Sequence, residues 1–273
     1  MYITANNNQY SPYAFKSTRQ RVTDSMGRVI NCHYTNLNRA DVDWMKFAQM
    51  LAERFRNQEK VKINLFGCSD GSDAYTLAVN LRNCLGKFAS KFFPIEASDI
   101  SPELIGKARD GIILLHDKDL QYLKDTSSLH LFKRDYSEQP QIMRDIVFYP
   151  YNVQDELRKD INFSVKDVRS EAKKHDFSNE VFIFRNGWTF MDLDTQNQII
   201  KDLACNSNKS TLCLIGQSDL FKSNACEFFQ RNGFQGIDSD VFTKAETDYP
   251  SATIGIPKEK SKYPEFILFN KCA

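Results

Sequence analysis

Apolar positions along the chain change their period in a regular way, and the changes predict alternating helices and strands. Between residues 41 and 55, Trp44, Phe47, Leu51 and Phe55 recur at spacings of three and four, one face of an amphipathic helix. Residues 61–66 then form a short apolar run that ends in Gly67 and reads as a buried strand. Residues 72–85 carry Leu77, Leu81 and Leu85 at four-residue spacing and read as a helix. A second strand is expected at 92–97. Residues 101–110 begin Ser-Pro-Glu, a capping serine with proline at the first helical position, and stop before Gly111. Further strands are expected at 146–149, 181–184 and 211–215, with helices near 192–204 and 220–231. Two late runs, 241–244 and 265–270, would form a terminal pair across a loop rich in Pro and Lys.

Alternation over residues 61–232 predicts an α/β fold, a mostly parallel sheet with helices on both faces and a terminal antiparallel strand pair. In such sheets ligands bind beyond the carboxyl ends of the strands, near the switch in strand order. Residues 1–34 hold no helical period and read as an arm; residues 35–273 read as the domain. Two polar, charged stretches, 111–144 and 154–179, interrupt the alternation and are expected as insertions on the ligand side.

Composition narrows the function classes. A net charge of +1 gives no reason to expect nucleic acid or an anionic membrane as the main partner. No apolar run approaches the roughly 18 residues of a membrane span. The N-terminal residues are polar and contain no signal-peptide core. The seven cysteines are scattered, odd in number and without a Cys-x-x-Cys, which argues against a disulfide framework and a zinc site. A reducing, cytoplasmic compartment fits. The four histidines show no metal-ligand spacing, and no metal is expected.

Candidate chemistry sits at two strand ends. The first strand runs into Gly67-Cys68-Ser69-Asp70-Gly71-Ser72-Asp73, where small residues allow a tight turn and close approach of backbone to a ligand. The helix that follows offers unpaired N–H groups. The second strand ends in Asp99, a carboxylate able to accept both hydroxyls of a ribose. Together these favour a nucleoside cofactor. They do not by themselves separate a nicotinamide dinucleotide from S-adenosylmethionine, although the loop does not spell G-x-G-x-x-G.

With these residues in place the sequence resembles the CheR family of S-adenosylmethionine-dependent protein methyltransferases, over roughly residues 35–220 and in matching order. The family's A-C-S-T-G-E-E-P-Y-S is similar to Gly67-Cys68-Ser69-Asp70-Gly71-Ser72-Asp73-Ala74-Tyr75-Thr76. Its A-S-D-I and K-A-R-x-G-I are matched by Ala97-Ser98-Asp99-Ile100 and Lys107-Ala108-Arg109-Asp110-Gly111-Ile112. Its N-L pair after the third strand resembles Asn152-Val153. Its C-R-N-V-x-I-Y-F-D resembles Phe184-Arg185-Asn186-Gly187-Trp188-Thr189-Phe190-Met191-Asp192, and its G-H-S-E resembles Gly216-Gln217-Ser218-Asp219. Upstream, T-x-F-F-R looks like Thr35-Asn36-Leu37-Asn38-Arg39.

The resemblance implies a Rossmann-like class I methyltransferase that binds S-adenosylmethionine and its product S-adenosylhomocysteine and methylates a side-chain carboxylate, a glutamate, of a protein. Thr35 and Arg39 would face the cofactor's carboxylate and Asp73 its amino group. Asp99 would hold the ribose hydroxyls, with Ile100 also at the cofactor, and Asn152 and Val153 would border the adenine. Gly67, Cys68, Ser69 and Gly71 would line the cofactor, with Arg185 and Asn186 beside it. Arg39 and Phe190 would stand nearest the methyl transfer. The sequence also departs from the family. Phe190 replaces a tyrosine, Ser72 replaces the first acid of the loop, and Leu37-Asn38 replaces an aromatic pair. The helical domain that precedes this region in chemoreceptor-modifying members is not expected here. A module that binds the cofactor without turning it over is therefore an alternative reading.

Overall fold

The computed structural model describes Leu37, Arg39, residues 42–143, 146–216, Asp219, residues 223–237 and residues 268–271. The arm at 1–34, Thr35, the run at 241–244 and the loop near 248–263 lie outside the described residues.

The central sheet has seven strands: β1 (Ile63–Phe66), β2 (Ile95–Asp99), β7 (Ile161–Val165), β8 (Val181–Phe184), β9 (Leu212–Leu214), β10 (Phe234–Gly236) and β11 (Leu268–Lys271). Their order is β10-β11-β9-β8-β1-β2-β7. The run from β9 to β7 is parallel throughout, and β11 enters antiparallel between β9 and β10. From β1 the chain first builds outward through β2 and β7, then crosses back to β8. The switch in strand order therefore falls between β1 and β8, the place where sheets of this kind bind ligands beyond the carboxyl ends of the strands. Strands β1 and β8 are buried at every position, which explains their uninterrupted apolar runs.

Two groups of helices cover the sheet. One holds α1 (Trp44–Arg54) against α2 (Ser72–Leu85), and the other holds α6 (Val168–Lys174), α7 (Leu193–Cys205) and α8 (Ala225–Arg231). Right-handed crossovers on either side of the switch put these groups on opposite faces. The face read from the sequence in α1 is the buried one: Trp44, Phe47 and Leu51 are at most 1% exposed. Asp43 caps that helix by accepting from Lys46 N–H. Helix α3 (Pro102–Asp110) also follows its sequence signals, with Ser101 as N-cap, Pro102 at the first position and Gly111 in a left-handed conformation at the end.

Three expectations are corrected. The second strand begins at Ile95 because residues 86–92 coil into a 3-10 segment. The run at 146–149 is not the third strand of the parallel sheet. It belongs to β6 (Ile146–Val153), which pairs antiparallel with β3 (Ile112–Leu115), β4 (Phe132–Arg134) and β5 (Gln141–Met143) in a separate small sheet. That sheet, with α4 (Asp117–Asp125), accounts for the insertion near 111–144. The third parallel strand is β7, inside the stretch read as a second insertion, after the short α5 (Asp155–Arg158). Its sequence, INFSV, mixes polar and apolar residues because it is an edge strand and only partly covered. Finally, β11 confirms a strand near 265–270, but its described partners are β9 and Phe234–Gly236.

Candidate functional site

The candidate site lies at the carboxyl edge of the parallel sheet. The loop after β1 turns sharply, with Gly67, Ser69 and Gly71 all at positive φ (64°, 53° and 91°). A Cβ on Gly67 would stand 2.9 Å from the Phe184 ring, so glycine lets β8 close against this loop. Gly71 precedes α2 without a side-chain cap. Across the β1–β2 edge, Asp99 Oδ2 accepts from Ser69 N–H at 2.9 Å and Oδ1 accepts from Ser101 N–H at 2.9 Å. This carboxylate is 7% exposed and ties the first loop to the second strand. Ile100 follows it, half-buried.

On the other side of the loop Asp73 gathers two arginines. Its Oδ2 accepts from Arg39 Nη2 at 3.0 Å and from Arg185 Nη1 at 2.8 Å. Burial pushes the Asp73 carboxyl up, but Arg185 and Arg39 beside it outweigh that and hold it below the usual carboxylate range. Arg185 comes from the residue after β8, has a side chain only 1% exposed, and stacks its guanidinium 4.7 Å from the Trp44 ring centroid. Two guanidinium groups thus converge on one carboxylate oxygen. Asp73 Oδ1 and Ser69 Oγ are buried and meet no hydrogen-bond partner among the described residues. Buried polar atoms of this kind are rarely left unmatched. Cys68, in the same loop, is no nucleophile: burial, then the charges of Asp99, Asp70 and Asp73, push its thiol well up.

Asn186 adopts φ 54°, and its N–H donates to Asp219 Oδ2 at 2.6 Å, as does Gly216 N–H at 2.9 Å. Asp219, fully buried, thus bridges the ends of β8 and β9. Phe190 lies in a 3-10 turn over Trp188–Phe190 and is 36% exposed at the rim.

The structure brings Arg39, Gly67, Cys68, Ser69, Gly71, Asp73, Asp99, Arg185 and Asn186 to one edge. It does not bring Asn152 and Val153 there. Both lie on β6, in the other sheet. Asn152 pairs with Ile112 and Lys133 and donates to Asp135 Oδ2 at 3.2 Å. The two residues instead line a separate cleft of about 560 Å³ with Asp110, His130 and Arg158. The carboxyl end of the true third strand carries Lys166-Asp167-Val168. Asp99 registers with Val165, and Lys166 N–H donates to Asp99 C=O at 3.1 Å. Asp167 caps α6 through Arg169 N–H at 2.9 Å. An Asp before a short helical run was the available sequence signal for this strand end. The Trp44 ring beneath Arg185 had no sequence signal beyond its place on the α1 core face.

A cofactor with an amino-acid end and a ribose fits this donor set: guanidinium for carboxylate, carboxylate for ammonium, carboxylate for diol. Comparison with known proteins agrees in kind. Residues 33–236 match the CheR methyltransferase, SAM binding domain. A chemotaxis protein methyltransferase of Borreliella burgdorferi is 27% identical over 187 residues, covering 66% of this chain and 60% of that protein. The chain thus spans about three-fifths of that relative. A chemotaxis protein methyltransferase of Salmonella typhimurium is 24% identical over 226 residues, covering 76% and 74%. Among solved structures, magnesium protoporphyrin IX methyltransferase from Synechocystis is 13% identical with a TM-score of 0.36, covering 73% of this chain and 74% of that one. With the matched region spanning most of its length, the chain belongs to the CheR family of S-adenosylmethionine-binding methyltransferases.

Proposed function

We propose that this protein transfers a methyl group from S-adenosylmethionine to a glutamate side-chain carboxylate of another protein. The observation that carries the reading is the Arg39–Asp73–Arg185 cluster, with its unmatched Asp73 Oδ1 beside the Asp99-anchored loop. Asp73 would accept the cofactor's ammonium, Arg39 would meet its carboxylate, and Asp99 would hold the ribose. Asp167 and Val168 take the place beside the adenine that the sequence motif had given to Asn152 and Val153. Bound S-adenosylmethionine supplies a methyl group on a sulfonium, already activated for displacement. A glutamate carboxylate, with an ordinary pKa near ~4.3, is ionised at neutral pH and needs no base. The chain's task is then to align the acceptor at about 3–3.5 Å and to exclude water. Phe190 offers a ring at the rim without a hydroxyl. The five described cysteines form no disulfide, and no described helix is long and apolar enough to cross a membrane, in keeping with action in the cytoplasm.

Incubation with methyl-labelled cofactor and protein extract tests this. Label in protein that mild alkali releases as methanol is the expected result, since carboxyl methyl esters hydrolyse readily. Alkali-stable label would move the acceptor to another side chain. Cofactor binding without any labelled protein would favour the non-catalytic reading, to which the missing Phe190 hydroxyl already points.

A further inference from the structure

Two departures in the first loop lie two residues apart. Where the family pattern T-G-E has a hydroxyl and then a carboxylate, this chain has Asp70 and Ser72. In the structure the two side chains meet. Ser72 Oγ–H donates to Asp70 Oδ1 at 2.7 Å, and Ser72 N–H donates to the same oxygen at 3.1 Å. A carboxylate–hydroxyl pair is therefore retained with its members exchanged, and the charge has moved from the first turn of α2 into the loop ahead of it.

Asp70 is half-buried, and no lysine or arginine among the described residues forms an ion pair with it. The charged and titratable groups that face it are Asp73 and Tyr75 from α2, Cys68 within the loop, and Arg39, which is already bonded to Asp73. Burial pushes the Asp70 carboxyl up to about 6, against the pull of its Ser72 bonds, and the neighbouring Asp73 charge adds to the rise. A folded value above the unfolded value of ~3.9 has a definite sign. The associated stability is present in full below about pH 4 and is lost as pH rises through about 6. The folded chain thus bears a cost for an ionised Asp70 at neutral pH. Such costs are tolerated where a ligand relieves them. Asp73 Oδ1 in the first turn of α2 and Ser69 Oγ in the loop, both buried and without a hydrogen-bond partner among the described residues, point independently to a ligand.

We propose that Asp70 is a further cofactor-binding residue, whose carboxylate, exchanged with Ser72 relative to the family pattern, faces a positive group of bound S-adenosylmethionine. This rests on the cofactor lying at the first loop. The positive group is the ammonium or the sulfonium, and S-adenosylhomocysteine, which keeps only the ammonium, tells them apart.

The test is calorimetric titration of the wild type and Asp70→Asn with each ligand at about pH 5 and about pH 7.5, with thermal melts of the ligand-free proteins. Asn keeps the acceptor for both Ser72 bonds and removes only the charge. Wild-type affinity for S-adenosylmethionine is expected to be about tenfold weaker at the lower pH. The variant should be about tenfold weaker than wild type at the higher pH, with a flat profile, yet should melt at a higher temperature. The same pattern with S-adenosylhomocysteine identifies the ammonium as the partner; loss of the pattern identifies the sulfonium. If the variant matches wild type in affinity and pH profile, Asp70 only shapes the turn and the proposal fails. If the wild type binds neither ligand, the cofactor placement beneath it fails as well.

Discussion

At the scale of single residues, Asp73 is the carboxylate on which two arginines converge, Arg39 and Arg185, the latter with its side chain almost wholly buried. Removing one member of a buried charge cluster costs more than forming it gains, because the remaining charges stay desolvated. Asp73→Ala is expected to lower unfolding stability by about 3 kcal/mol at neutral pH. Its carboxyl is held below the unfolded value, so this contribution is present above about pH 4 and is lost as pH falls through the still lower folded value. Urea denaturation of wild type and variant at a series of pH values should show the gap narrowing only in strong acid. A gap that closes already near pH 6 would mean that another group carries the coupling. The sequence put Asp73, Asp99 and Arg185 at one site, and the structure brings them to one edge: Asp99 ends β2, Arg185 follows β8 and Asp73 stands in the first turn of α2. The sequence could not reveal that Asp73 would be held by two arginines, since Arg39 and Arg185 are 146 residues apart in the numbering and meet only through the fold.

At the scale of elements, legibility followed burial. Helix α2 has the boundaries that its leucine spacing predicted, and α3 stops at Gly111, where a left-handed residue ends the helix. Strands β1 and β8 were readable because both faces are covered. Strand β7 was not, because an edge position leaves Asn162 paired to Glu96 at the exposed side and Val165 48% exposed. Its mixed pattern looked like an insertion, while the more apolar β6 looked like a sheet strand. Helix α1 allows a direct test of which pattern carries energy. Leu51 is fully buried, whereas Met45 on the same helix is 47% exposed. Leu51→Ala should cost about 2–5 kcal/mol through lost burial and a residual cavity. Met45→Ala should stay within about 0.5 kcal/mol of wild type. Chemical denaturation midpoints measure both. Equal costs would mean that α1 is docked through a face other than the one its periodicity marks.

At the scale of the whole molecule, the site is a product of strand order. Five of its residues sit between Gly67 and Asp73 after β1, while Asp99 ends β2, Arg185 and Asn186 follow β8, and Arg39 comes from ahead of α1, so only the strand order brings them together. The motif reading went astray at Asn152 for the same reason: it counted strands along the chain, and a strand of the small antiparallel sheet intervened before the third parallel one. Cofactor binding can tell the two countings apart. A ligand at 100 times its dissociation constant adds about 2.7 kcal/mol to the folded state. For a chain of this size that corresponds to a rise in melting temperature of about 5–10 °C. The rise is read as a difference between ligand-bound and ligand-free protein, so the small cost of losing the Asp167 cap on α6 cancels. With S-adenosylmethionine at one fixed concentration, Asp99→Ala should abolish the rise and Asp167→Ala should reduce it, while Asn152→Ala should leave it unchanged. If Asn152→Ala were the variant that lost the rise, the ligand would have to lie against the small sheet, near the cleft of Asp110 and His130. The switch point between β1 and β8 would then not be the binding crevice.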